Sequence, residues 1–543
     1  MGAQTDTSIA KSLPFAERPV LWLFGILALA AFARAIFFAG FFGSDDIGYA
    51  TRGAEIASGI WRPSQAVGEL RYGINIPISV FVRVFGTSDI TFSAWSLVCS
   101  LAEIGLVFVV AREVWGVKAA VLSGVVMALA PIHIILGSSP LADAPLAFLF
   151  SLALTSFFFA ERSGKRWLYV ITGVAAGLSW SVKPHAAAPF FMVFAVYALV
   201  WRAWRQEWLL VIVAGACVVA LELAMFSAKF GDPLYAIKAM RSGLSSNYID
   251  TKAEPLWGSS SLFFYFRQMF LDGRDMWIAP YLAVVGLLLL ARTRLRDHKI
   301  DFGSGYVSFW ALSLLGIFSF FIYSVNPLRF IPKQDNYALI FFAPVALLAG
   351  YALSRMSGTL LAVTICVFAV GAMSLSALEA YAVSLHYSAL KKAVSFAEEH
   401  PDARVFASHQ AIGVAKLANL AAGRDGAPEN LMPIGVISTP QDERPPPMSP
   451  SRYAIADPST PELVKPEQAG QIGKVLAQCW QPVGTLTPEA DGVGRHVVRF
   501  LSWLRPRLPT AVDRYLSFTN SMIVPRAATI FRFNPDSCEK RSE

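Results

Sequence analysis

Eleven apolar runs constrain this chain more than any other feature. Their limits are about 20–42, 89–111, 119–137, 144–160, 168–182, 186–201, 208–226, 277–291, 304–325, 336–354 and 359–377. A bilayer core needs about 20 apolar residues in helical form. With no water there, each run must satisfy its own backbone groups, so each reads as a helix. The first run follows a polar N-terminus, residues 1–19, and is too long for a signal-peptide core, so it reads as a retained span. Ile74 to Phe85 is apolar but short, and Pro77 and Arg83 interrupt it. It reads as a re-entrant or interfacial helix, with a twelfth span as the alternative.

Charge sets the expected orientation. Only 15% of residues are charged and 55% are hydrophobic, whereas soluble domains carry about 25% charge. The net charge of +8 is carried largely by short loops between runs: 112–118, 161–166, 202–207, 292–299 and 354–358. Each contains Arg or Lys, which places these loops and the N-terminus in the cytoplasm. This pattern, with no interleaving of basic and aromatic residues, argues against a nucleic-acid partner. An odd number of spans then puts the C-terminal part outside. The long loops 43–88 and 227–276 fall on that outer face, together with Asp143, Lys183, His185, Arg329, Lys333 and Tyr337.

The expected organisation is a cytoplasmic N-terminus (1–19), a membrane domain (20–378) and a small α/β domain (379–543). Strands are expected at Ala403–Ser408, Tyr453–Ala456 and Cys479–Val483, with Phe531–Phe533 as a terminal edge strand. Helices are expected near Gln410–Leu420 and Pro466–Leu476, and Gly423–Pro450 reads as loop. No glycine-rich nucleotide-binding pattern occurs there. Cys99, Cys217 and Cys366 lie in apolar runs and read as core residues. Cys479 and Cys538 are candidates for a disulfide if their domain is exported.

Gly43-Ser44-Asp45-Asp46-Ile47-Gly48-Tyr49-Ala50 puts two carboxylates where the first span meets water. Carboxylates at a membrane boundary are costly, so a functional site and a helix cap are both open readings. The same holds for Asp143, which can cap the span that Pro145 begins, and for Lys183, which can snorkel. His185 reads as a packing residue. Arg241, Arg267, Arg274, Asp272 and Asp275 read as solvated surface, and Glu103 and Glu222 as paired within the bundle. Acids facing cations at this depth suit one reaction: a carboxylate deprotonates an acceptor hydroxyl while cations neutralise a leaving phosphate. A lipid-carried phosphate would bring its sugar to this level.

Five motifs in order extend this reading. They are Asp45-Asp46-Ile47-Gly48-Tyr49; Arg83-Val84-Phe85-Gly86-Thr87-Ser88-Asp89; Ser138-Ser139-Pro140-Leu141-Ala142-Asp143-Ala144-Pro145; Gly177-Leu178-Ser179-Trp180-Ser181-Val182-Lys183-Pro184; and Lys333-Gln334-Asp335-Asn336-Tyr337 with Pro344. Together, over residues 15–375, the sequence resembles GT-C glycosyltransferases of the family that includes protein O-mannosyltransferases and the bacterial aminoarabinose transferase of lipid A. The resemblance implies a polytopic α-helical membrane fold with about 11 spans in a bacterial inner membrane and a periplasmic C-terminal domain. It implies transfer of a hexose or pentose, with inversion, from a polyprenyl-phosphate donor to a lipid, lipopolysaccharide or polysaccharide acceptor. Asp45 would be the base, supported by Asp46, and Asp143 would orient the sugar or acceptor. Tyr49 would fix the helix or the donor, and Tyr337 belongs to the same substrate-binding set. Lys183, Arg329 and Lys333 would hold the lipid phosphate. No cofactor or metal ligand is implied, although two adjacent acids plus Asp143 leave a divalent ion as an alternative. Asp46 stands where Glu is commoner, and Arg329-Phe330 where relatives carry Arg-Tyr. A transporter or flippase, or a non-catalytic assembly protein, is the competing reading. A transporter would place charges near the midplane with broken helices in paired halves, whereas an assembly protein on the same fold would be separated only by the effect of mutating Asp45.

Overall fold

The computed structural model describes residues 18–64, 68–201, 204–244, 263–297, 301–325, 328–330, 333–424, 426–434, 451–456, 479–490, 492–507 and 527–534. In chain order the helices are α1 (Pro19–Ile36), α2 (Asp45–Ala57), α3 (Tyr72–Phe85), α4 (Asp89–Trp115), α5 (Val117–Leu129), α6 (Pro131–Gly137), α7 (Asp143–Ser163), α8 (Arg166–Val182), α9 (Pro184–Phe190) and α10 (Met192–Trp201). They continue with α11 (Trp208–Phe230), α12 (Tyr235–Leu244), α13 (Phe264–Arg267), α14 (Ala279–Asp297), α15 (Phe302–Phe320), α16 (Phe342–Ser354), α17 (Gly358–Glu399), α18 (His409–Ala421) and α19 (Val493–Leu504). Among the described residues eight helices are long and apolar enough to cross a membrane, or nine when α5 and α6 count as one bent span. The other two expected runs are helical as well. They form α8, of 17 residues, and α14, whose last turn carries Arg294 and Arg296.

The first apolar run is not helical to its end. Helix α1 stops at Ile36, and the backbone takes positive φ at Gly40 and Gly43. The N–H groups released there are captured by side chains. Ser138 Oγ accepts from Ala39 N at 3.1 Å, and Asp46 accepts from Phe42, Gly43 and Ser44. A Cβ on Gly43 would lie 2.4 Å from Leu390, so glycine is required by both conformation and space. The α5–α6 bend of 60° has a different origin. Pro131 opens α6, and the residue before it, Ala130, is extended.

The chain divides into two compact units. One comprises Met1–Ile36, Ser96–Gly137 and Ala142–Ser376. Its helices approach through small residues, as expected where lipid removes the hydrophobic drive for association. Gly173 and Gly177 of α8 meet α11 so closely that a Cβ at 173 would lie 2.3 Å from the Val211 carbonyl oxygen. Gly350 of α16 meets Ser123 of α5, and Gly286 of α14 meets the Leu348 carbonyl of α16.

Charges inside this unit are paired through several helices. Arg34 of α1 is buried, donating to Ser100 Oγ at 3.0 Å, to the Ala30 carbonyl at 2.9 Å and to the His133 carbonyl at 3.1 Å. Its Nη2 also lies 2.6 Å from His133 Nδ1. A guanidinium can only donate, so Nδ1 is the acceptor and Nε2 carries the ring proton. That proton points to Glu103 Oε2, 3.1 Å away, and Ser151 donates to Glu103 Oε1 at 2.7 Å. Glu222 is likewise paired, accepting from Ser181 at 3.0 Å. Both acids are thus engaged within the bundle, as their position in apolar runs implies.

The second unit comprises Phe37–Trp95, Ser138–Leu141 and Ala377–Glu543. Helix α2 packs on α3 and on α18, where Ile47 lies against Gly413. Helix α17 runs unbroken for 42 residues, so the expected segment 380–400 continues the last membrane helix. In the first unit the run 304–325 ends not as helix but in β1 (Ile322–Val325), which pairs antiparallel with β2 (Leu328–Phe330); the sheet of the second unit contains β3 (Arg404–Ala407), β4 (Leu431–Pro433), β5 (Arg452–Ala456), β6 (Trp480–Leu486) and β7 (Ala528–Phe533). Their order is β4-β3-β5-β7-β6. β3 runs parallel to β4 and β5, whereas β7 is antiparallel to β5 and β6.

Two expectations for this unit need correction. Phe531–Phe533 is not an edge strand, because β7 pairs on both sides, with Arg532 opposite Tyr453 and Gln481. The segment read as loop contains β4, whose Pro433 is tolerated because β4 itself is the edge. The helix expected near Pro466–Leu476 lies outside the described residues. Cys479 is buried in the core beside Phe406, Ala454 and Trp480, and it is disulfide-bonded. Cys99, Cys217 and Cys366 are free, while Cys538 lies outside the described residues.

Candidate active site

The two adjacent acids are not equivalent. Asp46 is fully buried and spends both oxygens on the backbone: Oδ2 on Phe42 N and Gly43 N, Oδ1 on Ser44 N at 2.6 Å and Ser44 Oγ at 3.3 Å. Burial pushes its carboxyl up to about 6, a rise that these backbone donors reduce. Asp46 therefore fixes the turn into α2. Asp45, one residue earlier, stays exposed over 67% of its side chain. Tyr49, one turn on, donates to Asp45 Oδ2 at 3.4 Å, and Arg71 Nη1 stands 3.5 Å from the same oxygen. Arg71 is held in turn, donating to the Tyr49 hydroxyl with its guanidinium 5.6 Å from that ring's centroid. A water-exposed carboxylate with its rotamer set by a tyrosine and an arginine is suited to receive a proton.

The other sequence-predicted residues gather in the first unit. Asp143 opens α7 and is nearly buried. Lys183 occupies the break between α8 and α9, where Pro184 forces its backbone out of the helical region. Its Nζ donates to Asp143 Oδ1 at 2.9 Å and lies 4.4 Å from the centroid of the Tyr337 ring. Asn336 donates to Asp143 Oδ2 at 2.9 Å, and His185 Nε2 bonds the Tyr337 hydroxyl. Asp143, Lys183, Tyr337, His185 and Asn336 thus form one constellation, in which the first three are buried and the last two half-buried. Asn336 belongs to the fifth motif, and its place beside Tyr337 in the short 3-10 helix Asp335–Phe341 is the sequence signal that points to it.

Lys333 is fully buried, and desolvation holds its ammonium below the usual lysine range. Arg329 lies in a short strand, Leu328–Phe330, opposite Ser324; its side chain lies outside the described residues. The loop residues read as solvated surface are only partly so. Asp275 is buried, accepting from Gln268 at 2.6 Å with Arg274 3.5 Å away, because Gln268 also ties Asp275 to the Asp335 carbonyl. Arg267 and Asp272 are exposed, 3.8 Å apart. No group of three His, Cys, Asp or Glu that could hold a metal occurs among the described residues.

A bundle of long apolar helices with a small α/β sheet region, and acids and cations at helix ends, defines the class: a polytopic membrane protein with the GT-C fold. The structure matches apo ArnT from Cupriavidus metallidurans with a TM-score of 0.56 at 15% identity, over 95% of this chain and 99% of that one. It matches ArnT from the same organism bound to undecaprenyl phosphate with the same TM-score at 17% identity, over 87% of this chain and 96% of that one. Residues 74–230 match the family model for dolichyl-phosphate-mannose-protein mannosyltransferase. No curated protein matches the chain.

Proposed function

We propose that the protein transfers a sugar from a polyprenyl-phosphate donor to a lipid, lipopolysaccharide or polysaccharide acceptor at the outer face of a bacterial inner membrane. The observation that carries this reading is the division of labour in the Asp-Asp pair. Asp46 serves the backbone, which leaves Asp45 exposed and oriented by Tyr49 and Arg71. ArnT, whose fold this chain shares, has been solved with undecaprenyl phosphate, which supports a polyprenyl-phosphate donor. The match of residues 74–230 to a dolichyl-phosphate-mannose-dependent family points to the same donor class.

In this reading the acceptor hydroxyl gives its proton to Asp45 as its oxygen bonds the anomeric carbon. The bond from that carbon to the phosphate oxygen breaks, with inversion, and polyprenyl phosphate leaves. Lys333 and Arg329 neutralise the charge that develops on the phosphate. Asp143 already balances Lys183, so that lysine acts with Tyr337 to orient donor and phosphate. The N-terminus is cytoplasmic and the α/β region periplasmic.

The test is mass spectrometry of intact glycolipids and polyprenyl-phosphate sugars from cells carrying wild type, a deletion, or Asp45→Asn. Loss of one sugar from the same glycan in both altered strains, with the variant still in the membrane, is expected. A wild-type glycan profile from Asp45→Asn would remove Asp45 from the chemistry and favour the transport reading.

A further inference from the structure

Helix α19 has a composition that the proposed transfer does not use. Its sequence, VGRHVVRFLSWL, carries Arg495, His496 and Arg499 and no acid, and Arg505 and Arg507 follow directly. Three of its large apolar side chains face outward: Val493, Phe500 and Trp503 are 44%, 56% and 55% exposed. Phe500 and Trp503 stack with centroids 5.9 Å apart, and the Arg507 guanidinium sits 4.3 Å from the Trp503 ring centroid. In water this arrangement leaves two large aromatic rings without apolar cover.

The helix is also fixed at a definite depth. Gly494, its one fully buried residue, rests on α17, where a Cβ would lie 2.3 Å from both the Ala377 carbonyl oxygen and Tyr381 Cβ. The apolar stretch of α17 runs from Gly358 to about Ala377 and gives way to polar sequence with Glu379, His386 and Lys391. The start of α19 is thus attached at the level where α17 leaves the hydrocarbon. We infer that α19 is an interfacial anchor that lays Val493, Phe500 and Trp503 into the outer leaflet, with its arginines on anionic lipid headgroups. Three observations favour bilayer over a protein partner: the position of the Gly494 contact on α17, the arginines with no acidic residue among them, and an aromatic pair suited to the headgroup boundary.

The experiment uses the full chain with a photoreactive phenylalanine analogue at position 500 or 503, and at Ser502 as a control. The protein is reconstituted in vesicles of phosphatidylethanolamine with or without phosphatidylglycerol, irradiated and analysed by mass spectrometry. Lipid adducts at 500 and 503 should exceed those at 502 several-fold. Arg495→Glu with Arg499→Glu, or omission of phosphatidylglycerol, should lower the yield. Adduct levels equal at all three positions, or crosslinks to protein in place of lipid, would overturn the assignment. Because no readout involves sugar transfer, failure here leaves the proposed reaction untouched.

Discussion

The network of Arg34, His133 and Glu103 offers a sharp test of whether charge or hydrogen bonding holds the membrane bundle together. The contacts Nη2–Nδ1 at 2.6 Å and Nε2–Oε2 at 3.1 Å flank one imidazole, so the charges are separated by at most about 8 Å. At an effective dielectric of about 20 that is about 2 kcal/mol. A neutral interhelical hydrogen bond averages only about 0.6 kcal/mol. Glu103→Gln keeps an acceptor for His133 Nε2–H and a partner for Ser151, so it removes the charge alone and should cost about 2 kcal/mol. Arg34→Met also strands the His133 Nδ1 and carbonyl and should cost about 3–5 kcal/mol. The double variant carries neither charge and should be more stable than the sum of the single losses implies, by about 2 kcal/mol. Unfolding of all four proteins in mixed micelles at increasing SDS measures this directly. Additive losses, or an unchanged Glu103→Gln, would mean that the two charges do not balance each other and that the network is only a set of hydrogen bonds.

Other predictions concern the acids and the packing. Asp46 has its carboxyl raised from 3.8 to about 6, so its contribution to stability is fully present below about 3.8 and is lost as pH rises through about 6. That amounts to about 3 kcal/mol, and Asp46→Asn should flatten this part of the stability–pH curve; an unchanged slope would rule out Asp46 as its source. Lys183→Met or Asp143→Asn alone leaves one buried charge and should destabilise by about 3–5 kcal/mol. Combining the two should restore much of the stability but not the activity, as thermal unfolding and glycan analysis would show. Gly371→Ala would place a Cβ 2.3 Å from the indole of Trp277, whose Nε1 donates to the Val367 carbonyl at 3.2 Å. A loss of about 1–3 kcal/mol in the same unfolding assay is expected.

The sequence by itself determined the class of this protein. Runs of about 20 apolar residues can satisfy their backbone in lipid only as helices, and a helix forms within each of the eleven runs. Short β-prone stretches marked four of the five strands of the C-terminal sheet, and the motif at Asp45 marked the loop into α2. Hydropathy is a local property, however, and what it left undecided depended on contacts across long stretches of chain. The run to Phe42 was long enough to be helix throughout, yet Ser138, nearly 100 residues away, and Asp46 hold its end in another shape. Local chemistry does not tell adjacent Asp45 and Asp46 apart, and only the resemblance gave them different roles; burial separates a backbone ligand from an exposed carboxylate. Lys183 read as a snorkelling side chain or a cation for the lipid phosphate, but Asp143, 40 residues earlier, pairs with it. Arg34 drew no notice in its apolar run because its partners come from α4 and α6. Buried charge is tolerated only where a partner arrives from elsewhere in the fold, and only the tertiary structure identifies that partner.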